Sequence, residues 1–537
     1  MLGGGIHQVE LIFLLLLLFV VVFGLLAQKL KLPYPIVLVI AGTLLGFIPG
    51  IPSVKLDPDL VFLVVLPPLL YSAAWVTSWR ELSYNLVSIM LLAFGLVSFT
   101  VFGVAAGAHW LFPGFDWRLG FVLGAIIAPT DALAASTIAT RIGLPKKIVD
   151  VLEGESLLND ASGLLALEFG IAMVVNNQVP SISAGILRLA YLIVAGITVG
   201  LIIGWIVYRV ERLIDDAPIE IALSIFVPFS AYLTAQSIRS SGVLAVIACG
   251  LYLSRRSSEF FSPTVRLQAW AVWDSLTFIL NGLVFVLLGL QLPHILGAIH
   301  DYSLRQLLMY GGLFSGFVIL LRMIWCLPGA RLAKLIRNRF LHQNYAITSR
   351  GALIIGWTGM RGVLSLAAAI ALPQVLSNGQ PFPQRDLIIF LAFSVIFVTL
   401  VLQGLTLPPL VRALGLADSS GPDLEKEAAR RKMFQAALSY LQESRAQNGP
   451  ELDAFYEDLS GHYRQRLIAL SATEEEPPSD KKADIHKHHR LIRESLRVER
   501  QTAVRLRDEG QINDDALRDL EHELDLREEE LREADLK

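Results

Sequence analysis

Between Glu10 and about Val411 the chain is a succession of apolar runs, many close to twenty residues long, parted by short polar loops. Nothing in the sequence constrains the fold more. An apolar run of about 18 residues forms a helix long enough to cross a hydrocarbon layer about 30 Å thick. A core surrounded by water has no use for so many of them. Charged residues make up only 17% of the chain and crowd the stretch after about Asp418. The division predicts an all-α polytopic transmembrane domain, 1–412, and a charged, helical cytoplasmic domain, 413–537. The net charge is −3, and no basic, aromatic-laced patch stands out. Nucleic acid is therefore not an expected partner; membrane lipid is.

About thirteen spans are expected, at 9–27, 35–50, 59–75, 86–109, 118–139, 147–175, 183–209, 219–238, 242–254, 270–295, 304–327, 350–372 and 386–411. The first reads as a retained span rather than a cleaved leader, because no Lys or Arg precedes it and no small-residue cleavage pattern follows. Lys and Arg concentrate in the odd-numbered loops, by about sixteen to six. Those loops then face the cytoplasm, with the N-terminus outside and the C-terminal domain inside. The segment Pro328–Ser349, rich in Arg and Lys, reads either as an interfacial amphipathic helix on anionic lipid or as a solvated connector. Cys249 and Cys326 sit in apolar runs and read as core residues; no metal or disulfide spacing is present. The tail reads as helices at 424–443 and 450–470, a linker over 473–480, and two more helices, 486–507 and 513–537, with a turn at Gly510 and Asp514 as a cap. The cluster His486, His488 and His489 reads as solvated surface.

Polar residues interrupt three spans at matching depth. Pro129, in Ala128-Pro129-Thr130-Asp131, has no N–H to donate and clashes one turn back, so the fifth span should unwind there. Backbone freed at that depth is tolerated only where it is buried in protein or lines a cavity. The sixth span carries Glu153-Gly154-Glu155-Ser156-Leu157-Leu158-Asn159-Asp160, and the twelfth carries Thr358-Gly359-Met360-Arg361-Gly362. At about 1.5 Å per residue, Asp131, Glu155, Asp160 and Arg361 all fall near the midplane. Each ionisable residue there costs a few kcal/mol, which marks the group as functional. Glu155 and Asn159 share a helix face, as do Ser156 and Asp160. Oxygens from Asp160, Asp131, Ser156 and the freed carbonyls around Thr130 would suit a hard monovalent cation. A carboxylate removed from water holds its proton more tightly, and a second carboxylate nearby adds to this. One site that takes either a cation or a proton is a minimal exchanger. Arg361 is expected to neutralise Glu155 as a structural ion pair, leaving Asp160 to exchange. Asn281 and Gln403 are expected to hydrogen-bond between helices, Pro67-Pro68 to bend the third span, and Asp274 to lie at the interface. The fifth and twelfth spans, seven apart, run in opposite directions, as inverted repeats around a midplane site do.

These residues resemble the sodium/proton exchanger family, in its bacterial NhaP-type electroneutral branch. The resemblance covers about the first 410 residues: Leu66-Pro67-Pro68-Leu69-Leu70, Pro129-Thr130-Asp131-Ala132, Glu153 to Asp160, Asn281-Gly282 with Gly289, and Gly359-Met360-Arg361-Gly362 with Pro373. It implies thirteen helices, a core of the fourth to sixth and eleventh to thirteenth, and a homodimer built on the others. It implies Na+, Li+ or K+ and H+ as substrates, no cofactor, and no enzymatic activity. It also implies a cation held by the Asp160 carboxylate, the Ser156 hydroxyl and the Thr130 carbonyl, with Asp131 and Glu155 nearby. The pair Asn159-Asp160 goes with one-for-one exchange; relatives with Asp-Asp are electrogenic. The implied setting is the inner membrane, with a part in pH homeostasis.

A passive cation channel is the alternative, and proton coupling separates the two. An intramembrane aspartyl protease would need a G-x-G-D-like motif, which is absent. A serine protease would need a His partner for Ser156 or Ser162. An organic-anion carrier would want more cationic groups at the site.

Overall fold

The computed structural model describes residues 3–49, 56–77, 79–112, 114–175, 181–214, 216–300, 302–341, 348–377, 379–416, 421–447 and 453–471, and beyond these only 496–499, 501, 502, 505, 524 and 526. The chain divides into two compact units, Met1–Ser419 and Ser420–Lys537.

The first unit is built from helices. In chain order they are α1 (Gly3–Leu30), α2 (Tyr34–Gly46), α3 (Pro58–Val76) and α4 (Trp79–Leu111). Then come α5 (Trp117–Ile127), α6 (Ala132–Ile142), α7 (Lys146–Val175), α8 (Ile182–Glu211) and α9 (Ala217–Ser237). These are followed by α10 (Gly242–Phe260), α11 (Pro263–Ala298), α12 (Leu304–Ile336), α13 (Ser349–Trp357), α14 (Val363–Ile370) and α15 (Arg385–Ala413). Among the described residues, nine helical stretches are long and apolar enough to cross a membrane. Their starts are set locally. Asp116, Ser181, Asp216, Ser241, Ser262, Ser303 and Thr348 each accept a backbone N–H from the first turn of the helix they precede.

Burial orders the bundle. In α15, 78% of the most apolar window is buried, against 11% in α8. So α15 runs through the middle, while α8 turns Leu187, Val194, Leu201 and Trp205 outward. An apolar surface of that extent is stable against hydrocarbon and not against water.

Three helices pass through a π-type turn: Val61–Val65 in α3, Leu91–Leu96 in α4 and Thr399–Gln403 in α15. The turn in α3 lies just before Pro67-Pro68, whose missing donors leave carbonyls of the preceding turn without their usual partners. Two helices run further than the sequence suggests. α11 begins at Pro263, so Asp274 stands in its fourth turn and is exposed. α12 continues through Pro328 to Ile336, and a further π-type turn spans Arg337–Leu341. The first part of the basic segment is therefore neither a separate interfacial helix nor a loop, but the end of α12. Cys249 and Cys326 are buried and free.

In the second unit, α16 (Gly421–Gln447) and α17 (Asp453–Ser471) pack on each other. Arg445 Nε donates to Asp453 Oδ1 at 2.7 Å, and Phe434 meets Tyr463 with ring centroids 6.0 Å apart. The expected linker, the His486, His488 and His489 cluster, Gly510 and Asp514 lie outside the described residues.

Candidate cation site at two broken helices

Two interruptions meet at the centre of the first unit. Between α5 and α6, residues Ala128–Asp131 leave the helix; between α13 and α14, Thr358–Gly362 do so. The two breaks touch through backbone, with Asp131 N donating to Met360 O at 2.8 Å. That contact needs close approach. A side chain at Gly362 would collide with the Asp131 carboxylate, and one at Gly359 with Arg322.

Several of the backbone groups that the breaks free find partners. Arg361 Nε donates to Ile127 O at 3.0 Å, closing the C-terminal end of α5, and its Nη1 donates to Gly359 O. Arg361 N donates to Thr399 Oγ1 at 3.2 Å, at the π-type turn of α15. Arg322 closes α13 in the same way, with Nε and Nη2 donating to Ile355 O at 3.3 and 3.0 Å. Both guanidiniums thus sit where a helix C-terminus gathers partial negative charge.

The expected ion pair between Glu155 and Arg361 is not the one the fold makes. Glu155 is gripped by Arg322 of α12, with Nη1 to Oε1 at 2.5 Å and Nη2 to Oε2 at 2.8 Å, and both side chains are 1% exposed. Arg361 gives its side-chain donors to carbonyls instead. Arg322, five residues inside the end of the span expected over 304–327, was given no role by sequence reasoning. A lone Arg between Val318 and Trp325 was the available signal, since an isolated charge in an apolar run needs a buried partner.

Around this pair the remaining site residues converge on Thr130. Ser156 Oγ donates to Thr130 O at 2.6 Å, Asn159 Nδ2 donates to Thr130 Oγ1 at 2.7 Å, and Thr130 Oγ1 donates to Glu155 Oε1 at 3.3 Å. Ser162 Oγ donates to Ala93 O at 2.5 Å, tying α7 to the π-type turn of α4. Asp160 is buried and makes no hydrogen bond with another described residue. It faces a cavity of about 320 Å³ lined by Thr130, Asp131 and Ser156, with Thr277 and Asn281 of α11 across from them. Asp131, half-buried, lies within electrostatic range of Asp160 and stands immediately before the N-terminus of α6, where negative charge is favoured.

All the sequence-predicted site residues thus gather at one crossing. Two polar residues depart from expectation. Asn281 makes no hydrogen bond with another described residue and lines the cavity. Gln403 is fully buried with both amide atoms unpartnered among the described residues.

Comparison with known proteins agrees with this geometry. Residues 14–413 match the transmembrane sodium/hydrogen exchanger family. An uncharacterized Na+/H+ exchanger of Mycobacterium tuberculosis is 34% identical over 95% of this chain and 94% of its own length. The sodium, potassium, lithium and rubidium/H+ antiporter of Bacillus subtilis is 31% identical over 90% of this chain and 72% of its own. In fold, the chain is similar to the sodium proton antiporter MjNhaP1 of Methanocaldococcus jannaschii, with a TM-score of 0.55 at 20% identity, covering 76% of this chain and 99% of that one. The chain belongs to the sodium/hydrogen exchanger family, as a multi-pass inner-membrane antiporter that exchanges sodium or a related monovalent cation for protons.

Proposed function

We propose that Asp160 is the group for which cation and proton compete, and that one cation is exchanged for one proton. The observation that carries this is the pairing around it. Glu155 is neutralised by Arg322, Asn159 is uncharged and engaged with Thr130, and Asp160 faces the cavity beside the Thr130 carbonyl and Ser156 without a hydrogen bond among the described residues. A single exchangeable carboxylate carries one charge whether its passenger is a cation or a proton. The cycle is then electroneutral.

The cation would be held by the Asp160 carboxylate, a lone pair of the Ser156 hydroxyl and the Thr130 carbonyl, with Asp131 close by. Thr130 is fixed from the far side by Asn159 and Glu155, so these two orient a ligand rather than bind the ion directly. Sodium, lithium and potassium are the substrates proposed. The B. subtilis relative is named for all three.

The same reading has thirteen spans, the N-terminus outside and the C-terminal domain in the cytoplasm, supported by the Lys and Arg bias. The half-helices α5–α6 and α13–α14 are counterparts in two inverted repeats, and alternating access is the movement of their bundle against the remaining helices. Those remaining helices form the interface of a homodimer.

The test is exchange in proteoliposomes carrying an internal pH dye, with the voltage clamped. Wild-type protein should collapse a pH gradient when sodium, lithium or potassium is added, at a rate independent of the clamped voltage. The Asp160→Asn variant should be silent. Voltage-dependent exchange would refute the one-to-one stoichiometry, and an active variant would refute the role of Asp160.

A further inference from the structure

Glu153 also lies on the cavity wall, and the exchange site makes no use of it. It stands seven residues before Asp160 on α7, almost two turns, so both side chains leave the helix on nearly the same side. They are separated by about 10 Å along the axis. Glu153 is half-buried and makes no hydrogen bond or ion pair with another described residue; Lys146 and Asp150 lie within its electrostatic range.

The α3 residues that line the cavity are exposed at one end of the helix and buried at the other. Ala73 and Val76 line it and are exposed, whereas Val61 and Val65, at the opposite end of the same helix, are buried. The exposed end is also the end at which α7 begins, because α4 crosses away from it and the broken pair α5–α6 crosses back. An ion entering there passes Glu153 before it reaches Asp160. Asp150, one turn nearer the entrance, has a buried carboxylate oxygen without a hydrogen bond among the described residues and adds negative potential. Low-dielectric walls concentrate such a field along the passage.

We propose that Glu153 is a waypoint for the transported ion: a carboxylate that draws a hydrated monovalent cation in from the cytoplasm and holds it, water shell largely intact, one step before Asp160. The proposal rests on the exchange site and orientation given above. A carboxylate serves this purpose because it attracts without dehydrating, and the cavity leaves room for the water. Its effect must be one-sided. Once the passage has closed on the cytoplasmic side and opened on the other, an ion approaching Asp160 from outside does not pass Glu153.

The experiment compares wild type, Glu153→Gln, Glu153→Asp and Asp160→Asn in proteoliposomes sorted by orientation, with sodium supplied from one face at a time. Glu153→Gln should raise the apparent KM for sodium on the cytoplasmic face about three- to tenfold. The KM on the outer face and the maximal rate should stay at wild-type values, and Glu153→Asp should restore most of the loss. Raising ionic strength with choline chloride should shrink the difference between wild type and Glu153→Gln, because screening shortens the reach of the field to about 8 Å at physiological salt. Equal change on both faces, no change on either, or change on the outer face alone would overturn the proposal. The Asp160→Asn arm keeps the two readings apart. If it is silent while Glu153→Gln behaves as wild type, only the waypoint fails; if it is active, the exchange site itself is wrong.

Discussion

Arg322 holds both oxygens of Glu155, at 2.5 and 2.8 Å, with neither side chain reachable by solvent. The pair joins α12 to α7 beside the two breaks. A buried pair repays its desolvation only while both partners are present, and removing one leaves an uncompensated charge costing about 3–5 kcal/mol. Arg322→Ala and Glu155→Ala should each lower the melting temperature of the detergent-purified protein sharply. The paired change Arg322→Met with Glu155→Leu should regain much of the loss. A double variant no more stable than either single one would contradict this account.

Ser156 and Asn159 fix the two ends of Thr130, one at its carbonyl and one at its hydroxyl. Ser156→Ala removes a proposed ligand and lets that carbonyl drift. One lost hydrogen bond of about 1 kcal/mol should raise the apparent KM for the cation roughly five- to tenfold, with the pH gradient still collapsing at saturating cation. Kinetics in proteoliposomes check it; an unchanged KM would remove Ser156 from the site.

Asn159→Asp replaces a donor with an acceptor at the 2.7 Å contact to Thr130. Although the family resemblance ties two aspartates here to electrogenic exchange, the change should not create voltage-dependent exchange in this background, because Thr130 and Glu155 are arranged around an amide. The expected result is a lower melting temperature and a loss of rate, read by thermal unfolding and by transport under a voltage ramp.

Gly362→Ala places a methyl group against the Asp131 carboxylate. The breaks cannot separate without losing the Asp131–Met360 hydrogen bond. Exchange should fall at least tenfold, while Gly312→Ala, on the exposed face of α12 where a methyl group meets nothing within 4 Å, should retain transport. Equal activity in the two variants would show that the close crossing does not matter.

Much of the site was legible because its cost is written in residue types. Pro129 in an apolar run announces a break, and Glu155, Asp160, Asp131 and Arg361 at matching depth announce a cluster. What sequence could not supply was the partner choice. Whether Glu155 meets Arg361 or Arg322 depends on how α12 leans against α7, and depth counted along the chain does not carry that. Helix length misled in the same region. Pro328 reads as a stop, yet α12 carries on to Ile336, since a helix tolerates one lost hydrogen bond when its neighbours hold it. Asn281 shows the complementary limit: an amide inside an apolar run is expected to face something polar, but only packing decides whether that is another helix or a cavity.

Cation-driven proton release from the purified protein tests the central claim most directly. With the protein in weakly buffered detergent solution near the pH of half-maximal exchange, sodium is added and the released protons are read by a pH dye against the bound cation. The account predicts release approaching one proton per cation bound in the wild type and none from Asp160→Asn. Comparable release from that variant would mean that proton and cation meet somewhere other than Asp160.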